Sequence, residues 1–214
     1  MEDAAIIHLW KSYDKKLEES LSLNKKNAED IMHMKVRSFL ASMKPSKIFA
    51  LLVGIGWVIL ADIILIGTFH IASPFFLVSA GIQVLLTKLA IGIYLYQLIL
   101  IQRVDISEPI LSTQEKLSRL KSSSLWCARI LFLQLPVWTT FYLTPAMLAS
   151  GNPWLLLLQL AVTTAFFCAA IWLFINIRYS NRHKKWFRAI FQGKEWDPVI
   201  KAMALLEQVE EYRR

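Results

Sequence analysis

Two long apolar runs, at residues 48–69 and 74–102, dominate the pattern of hydrophobic and polar positions along the chain. Each has the roughly 20 residues that an α-helix, rising about 1.5 Å per residue, needs to cross a hydrocarbon core of about 30 Å. Only residues 70–73 separate the two runs. The pattern predicts a tight transmembrane hairpin, in which Gly54 and Gly56 give the first helix smooth patches for close helix contact.

Two later apolar runs, at 125–149 and 154–177, predict a second hairpin. The Ser-Gly-Asn-Pro sequence at 150–153 is a turn signal between them. Pro136 lies inside the first of these runs, and because proline removes a backbone hydrogen bond we expect a kink there. The predicted fold is all-α: a polytopic membrane protein with four transmembrane helices in two hairpins, together covering 48–177, plus cytosolic amphipathic helices.

Residues 1–47 form an N-terminal arm with helical periodicity. Its apolar residues recur at steps of three and four, which places them on one helical face: Ile6, Trp10, Tyr13, Leu17 and Leu21. The pattern starts again over 27–43, and the polar stretch at 24–27 predicts either a break between two helices or a polar interruption. The same series fits a heptad repeat that is interrupted at its centre, so it gives little support for a coiled coil.

The apolar face of this arm has two interpretations. In the first, it packs against the protein's own cytosolic parts or lies on the bilayer surface, as amphipathic helices commonly do. In the second, it docks a cytosolic protein partner through four residues, Ile6, Trp10, Tyr13 and Leu17. The small-residue faces of the membrane helices also leave room for a homo-oligomer, in which a second copy is the partner.

The C-terminal segment, residues 178–214, begins with basic side chains at the predicted membrane exit. Such cations attract anionic lipid headgroups, at roughly 1 kcal/mol per side chain. The candidate headgroup-binding residues are Arg178, Arg182, Lys184, Lys185 and Arg188. Asp197 and Pro198 then have the order of an N-cap and a first-turn proline, which predicts a final helix over 199–212.

Composition and charge placement set the location. With 56% hydrophobic and 19% charged residues, the chain is too apolar for an ordinary soluble domain of 214 residues. The formal net charge of +8 would suit a nucleic-acid-binding protein, so the positions of the cations decide its meaning. Residues 1–47 hold nine Lys and Arg, 103–124 four and 178–214 nine, whereas the loops at 70–73 and 150–153 hold none. This positive-inside pattern predicts both termini in the cytoplasm and no nucleic-acid partner.

Asp62 and Lys88 are the charged residues inside the first hairpin. A charge within a span costs about 2.5–3.5 kcal/mol on insertion scales and is usually turned inward and paired. The favoured hypothesis is an intramembrane ion pair between them that fixes the register of the hairpin. Alternatively they belong to an ion or proton pathway, or they do not pair at all. The pathway would be lined by polar side chains of the spans, namely Gln83, Thr87, Gln97, Gln134 and Gln159.

Catalytic and metal-binding signatures are missing. The sequence has no HExxH motif, paired-cysteine spacing, GxSxG elbow or glycine-rich phosphate loop. Arg129, about one turn inside the third run, is expected to extend toward cytoplasmic headgroups, without an assigned role. We therefore expect no enzyme activity and no cofactor. The predicted function is a membrane-anchored interaction or regulatory module that works through cytosolic helices; the alternative is a small transporter or channel that uses Asp62 and Lys88.

Short sequence patterns also carry a family resemblance. They are LWKSYDKKL at 9–17, QEKL at 114–117, LQLP at 133–136 and LLE at 205–207. In these the chain resembles, over nearly its whole length, a group of small uncharacterised four-span proteins of the bacterial inner membrane. The resemblance implies a multi-pass protein of that membrane and hints at work with regulatory partners, including extracytoplasmic-function sigma factors. The zinc-binding His-x3-Cys-x2-Cys motif of many anti-sigma domains is absent from the sequence.

Overall fold

The computed structural model describes residues 2–103, 110–150, 152–191 and 197–202. All regular structure in these residues is helical, which confirms the all-α prediction for this part of the chain. The α-helices are α1 (Glu2–Thr68), α2 (Pro74–Gln102), α3 (Ile110–Phe132), α4 (Pro145–Ser150), α5 (Pro153–Asn176) and α6 (Lys185–Phe191). Residues 197–202 are also helical, and the rest of the predicted final helix lies outside the described residues.

Three of these helices are long and apolar enough to cross a membrane: α1 within Trp10–Thr68, α2 and α5. This indicates a helical membrane protein. The ends of α2 and α5 lie within one residue of the predicted boundaries. Both helices begin in the same way, because Ser73 and Asn152 accept a hydrogen bond from a backbone N–H of the first turn and a proline follows each of them.

The hairpin between α1 and α2 is tight. The chain turns between Thr68 and Pro74, and the N–H of Ala72 donates to the carbonyl of Thr68 at 2.8 Å. Gly54 lies against α2, since a Cβ there would come within 3.3 Å of Ile91. Gly56 faces open space, so only the first of the two glycines serves the predicted close contact within the chain.

The predicted break at 24–27 is wrong, because α1 is one continuous helix of 67 residues. The two asparagines of this stretch cost less than about 1 kcal/mol each in a helix, and the lysines between them are good helix formers. Pro45 also lies inside α1, where it removes one hydrogen bond at a cost of about 3 kcal/mol. Burial of Leu40 and Met43 on the adjacent turns, at roughly 1.5–3 kcal/mol each, offsets that cost.

A single helix over 125–149 is also wrong. α3 ends at Phe132, turns follow, residues Val137–Thr139 form a 3-10 turn, and the short α4 comes after it. Pro136 explains the end point, since its ring clashes with the carbonyl four residues earlier, at Phe132, and it has no N–H to bond that oxygen. The hydroxyl of Thr139 donates to the carbonyl of Pro136 at 2.7 Å, beside the backbone N–H of the same residue. Four spans therefore stay a prediction, and the third would not be a continuous helix.

Two buried clusters hold the helices together. The first joins α1, α2, α3 and the 197–202 segment through Val36, Leu40, Met43, Leu100, Ile101, Leu117, Leu120, Val199 and Ala202. The second joins the middle of α3 to the end of α5 and to α6 through Leu125, Ile177, Phe187 and Phe191. The first cluster lies beyond the apolar run of α1, so a small helical bundle continues past the predicted membrane boundary.

Candidate functional site

The first 30 residues of α1 extend away from both clusters. Every side chain that the structure describes from residue 7 to residue 31 is exposed, and we call residues 7–31 the projecting segment. Its apolar stripe includes three of the predicted docking residues, with Trp10 70%, Tyr13 66% and Leu17 59% exposed. Ile6 lies in the helix just before this segment, and its side chain is outside the described part of the structure. The stripe has no partner among the described residues of the chain.

The apolar stripe and the buried face of α1 point in different directions. Between residues 33 and 47 the helix buries His33, Val36, Leu40, Met43 and Lys47. At 100° per residue, this face is roughly 120° around the helix axis from the stripe of the projecting segment. The helices of the bundle pack on a different side of α1. A longer bundle with the same arrangement would therefore not cover the stripe.

The change of face happens within a single turn. Ile31 and Met34 belong to the exposed stripe, with 50% and 52% of their surface accessible. His33 and Val36 alternate with them on the buried face, at 8% and 0%. At this level α1 therefore presents one apolar face to its own bundle and another to the outside.

A buried lysine at the base of the bundle was not predicted. Lys47 is almost fully buried, donates a hydrogen bond to the side-chain oxygen of Gln97 at 2.5 Å, and lies 4.8 Å from the ring centre of Tyr94. Sequence reasoning had placed Lys47 with the cations of the arm and Gln97 in a membrane pathway. In a sequence, a lysine next to an apolar run usually indicates a cation at the membrane interface. Only the contact with α2 shows that Lys47 is buried.

The structure brings Asp62 and Lys88 together. Nζ of Lys88 lies 2.9 Å from Oδ2 of Asp62, and the two side chains are 52% and 38% exposed, respectively. They join α1 to α2 well inside the two apolar runs. Whether this contact lies in a membrane stays a prediction. A groove on one side of Lys88 is lined by aromatic and aliphatic side chains, including Tyr96, Trp126 and Ile130.

The polar residues predicted to line a pathway do not form one row. Gln134 donates to the hydroxyl of Thr87 at 3.1 Å, next to Lys88. Gln159 instead serves the broken third run, where it donates to the carbonyl of Thr139 at 2.6 Å and accepts from Tyr142. Together with Gln97 at the other end of α2, these contacts form three separate groups.

Arg129 has a structural partner that the sequence did not suggest. Its guanidinium donates two hydrogen bonds, of 2.8 and 2.6 Å, to the carbonyl of Ile177, the residue after α5. The same group lies over the ring of Trp126, at 5.2 Å from its centre. Arg129 therefore links α3 to the end of α5, whereas the sequence led us to expect that it extends toward headgroups.

The predicted headgroup-binding residues are all exposed. Arg178, Arg182 and Lys184 surround the 3-10 turn at Tyr179–Asn181, and Lys185 and Arg188 lie on α6. The aromatic ring of Tyr179 is flanked by two cations, since Arg182 lies 4.6 Å and Lys121 4.0 Å from its centre. The structure thus gathers these basic residues beside the end of α5, and their lipid contacts stay a prediction.

The described residues contain no candidate metal site and no disulfide. Among the described residues, no three His, Cys, Asp or Glu side chains come together in a way that could hold a metal ion. Cys127 is buried, Cys168 is exposed, and neither forms a disulfide with a described residue.

Three helices that are long and apolar enough to cross a membrane suggest a helical membrane protein, and a small bundle joins α1, α2, α3 and residues 197–202. No protein-family model, curated protein or solved structure matches it. The family resemblance therefore depends on the quoted sequence patterns alone.

Proposed function

We propose that this chain is a non-enzymatic integral membrane protein that acts as a membrane-anchored interaction or regulatory module through its cytosolic helices. One observation carries the proposal: the projecting segment exposes large apolar side chains along about 36 Å of helix, and every side chain that the structure describes in it is exposed. A contiguous apolar surface of this kind normally marks a site of association.

We further propose that the protein lies in a bacterial inner membrane, with four spans and both termini in the cytoplasm. The distribution of Lys and Arg and the sequence resemblance support this topology. The position of Lys47 agrees with it, because the 21 residues that follow Lys47 up to Thr68 correspond to about 31 Å of helix, close to the thickness of the hydrocarbon core. The projecting segment would then extend from the small bundle into the cytoplasm.

In-cell photocrosslinking tests the proposed interaction surface. A photoreactive phenylalanine analogue is placed at Leu17, on the stripe, or at Glu19, on the opposite polar face, in the full-length protein. Both positions are exposed, so Glu19 is a matched control. We expect a discrete protein adduct from position 17 that position 19 does not give. If neither position gives an adduct, or both give the same one, the segment is not an interaction surface and the proposal fails.

A second candidate function is a small transporter or channel. It is favoured by the contact between Asp62 and Lys88 and by the hydrogen bond from Gln134 to the neighbouring Thr87, which together put a polar group between apolar helices. Ion flux in proteoliposomes tests this candidate. This function requires that the parent protein conduct ions and that Asp62→Asn and Lys88→Met each reduce the flux. If the parent protein shows no flux, the transporter or channel function is refuted.

A further inference from the structure

The apolar stripe of the projecting segment has a heptad register that the continuous α1 makes usable. Once the helix runs unbroken through 24–27, positions a fall on residues 10, 17, 24 and 31, and positions d on residues 6, 13, 20, 27 and 34. This register places Trp10, Tyr13, Leu17, Ile31 and Met34 on one seam. It spans three and a half heptads, in which the outer seam positions are apolar and the three central ones, at 20, 24 and 27, are polar. From this register we propose that the projecting segment pairs with that of a second copy of this chain as a parallel, two-stranded coiled coil.

The polar centre of the seam is the first argument for this partner. Asn24 falls at position a in the middle of the register. Three successive seam positions here are polar, with Ser20 at d, Asn24 at a and Asn27 at d. A buried asparagine at position a costs stability but pairs with itself across a parallel dimer, and so favours a fixed register and two-stranded association. An unrelated partner would have to supply a matching polar group at the same level.

Charge complementarity is the second argument. In a parallel dimer, position g of one helix faces position e of the next heptad on the other helix. Asp30 is at position g and Lys35 at the following position e, so Asp30 of each copy meets Lys35 of the other. Both side chains are exposed in the single chain.

The chain's own bundle does not compete with this pairing. The residues that α1 buries in the bundle are His33, Val36, Leu40, Met43 and Lys47, and they fall at positions c and f of the same register. Positions a and d lie on the opposite side of the helix from c and f. One copy can therefore keep its bundle intact while it binds the other.

The described residues at 197–202 cover a different part of α1, because Val199 and Ala202 belong to the cluster around Val36, which is about 39 Å along α1 from Trp10. Two copies inserted in one membrane with the same orientation, by contrast, project their segments side by side and in the same direction.

This inference rests on the proposed function, since it names the partner of that surface. Disulfide trapping tests it in the full-length protein reconstituted in liposomes, with Cys168→Ala as background and the buried Cys127 left in place. Ser20→Cys is at position d and Ser22→Cys at position f, and both serines are exposed. A disulfide needs Cα atoms closer than about 7 Å, which position d provides in a parallel pair and position f does not. We expect at least about fivefold more covalent dimer from the first variant than from the second.

A charge exchange tests the register. In the Ser20→Cys protein, Asp30→Lys should lower the yield of dimer about twofold to fivefold, and the further change Lys35→Asp should restore it. Equal cross-linking from the two cysteine variants, no cross-linking from either, or indifference to Asp30→Lys would overturn the parallel dimer.

The two proposals can fail separately. If position 17 gives only an adduct with another protein while Ser20→Cys gives no dimer, the interaction surface stands and the self-pairing is refuted. If position 17 gives no adduct of its own and Ser20→Cys gives no dimer, both are refuted.

Discussion

Neutralising the contact between Asp62 and Lys88 should reveal whether it lies in hydrocarbon or in water. The perturbation consists of Asp62→Asn, Lys88→Met and the double variant. If the pair lies within the bilayer, each single change leaves one charge without its counterion, and insertion scales put such a charge at about 2.5–3.5 kcal/mol. Each single variant should then lose about 3 kcal/mol of stability, and the double variant should recover most of it, because no uncompensated charge is left.

A solvated pair predicts a different result. The two atoms are 2.9 Å apart, and an ion pair of this geometry exposed to water contributes about 0–1 kcal/mol, which salt screens. The chain contains a matched control in α3, where Arg119 and Glu115 form an exposed pair at 2.7 Å, one turn apart. Glu115→Gln should cost no more than about 0.5 kcal/mol and should matter less at high salt.

The assay is unfolding of the full-length protein in nanodiscs, followed by circular dichroism at low and high salt. The expected pattern is two destabilised single variants, a recovered double variant and little salt dependence, against a small, salt-sensitive effect in the Glu115→Gln control. If the single variants behave like that control, α1 and α2 do not hold this pair within hydrocarbon. The hairpin would then need a different position in the membrane.

Three further predictions concern packing and buried polar groups. Leu40→Ala should lower stability by about 2–5 kcal/mol, because it empties part of the first buried cluster, and thermal unfolding measures the loss. Arg129→Met should cost about 1–3 kcal/mol, since the carbonyl of Ile177 loses both of its guanidinium donors, and hydrogen exchange should show faster opening at the end of α5. Lys47→Met should cost about 1–3 kcal/mol in the same unfolding assay, because it leaves the side-chain oxygen of Gln97 without this donor.

Each of these predictions has an outcome that contradicts it. A change of less than about 1 kcal/mol in Leu40→Ala would mean that the bundle is not packed in solution as described. If Arg129→Lys, which keeps the charge but cannot make the same forked contact, equals the parent protein, the two hydrogen bonds are not what matters. If Lys47→Met is more stable than the parent, burial of the ammonium costs more than its contacts return.

The bounds of a helix could be predicted from the sequence wherever local capping signals and the length of an apolar run agree. α2 and α5 begin after Ser73 and Asn152, each followed by proline, and both continue for the length of an apolar run. These signals depend only on neighbouring residues, so their bounds could be read without a fold. The contact between Asp62 and Lys88 agrees with the hypothesis of an ion pair, which depended only on two charges in apolar runs joined by a short turn.

Features that depend on tertiary contacts were missed. Pro45 and the polar stretch at 24–27 favour a break locally, yet α1 is continuous, because buried neighbours offset the cost of Pro45 and the asparagines at 24 and 27 cost little in a helix. The opposite happened at Pro136, where the helix ends instead of bending. Lys47 and Arg129 carry no local signal for their partners, Gln97 and Ile177, which are 50 and 48 residues away along the chain.

The length of α1 has a mechanical consequence. Without a break between Trp10 and Thr68, α1 transmits a tilt along its length, and the bundle holds it over residues 33–47. Trp10 lies about 39 Å along the helix from Val36, so a tilt of about 10° would move the tip by about 7 Å. A small reorientation of the apolar half would therefore become a large displacement at the other end, and joining two tips would in turn restrict how the lower halves can tilt.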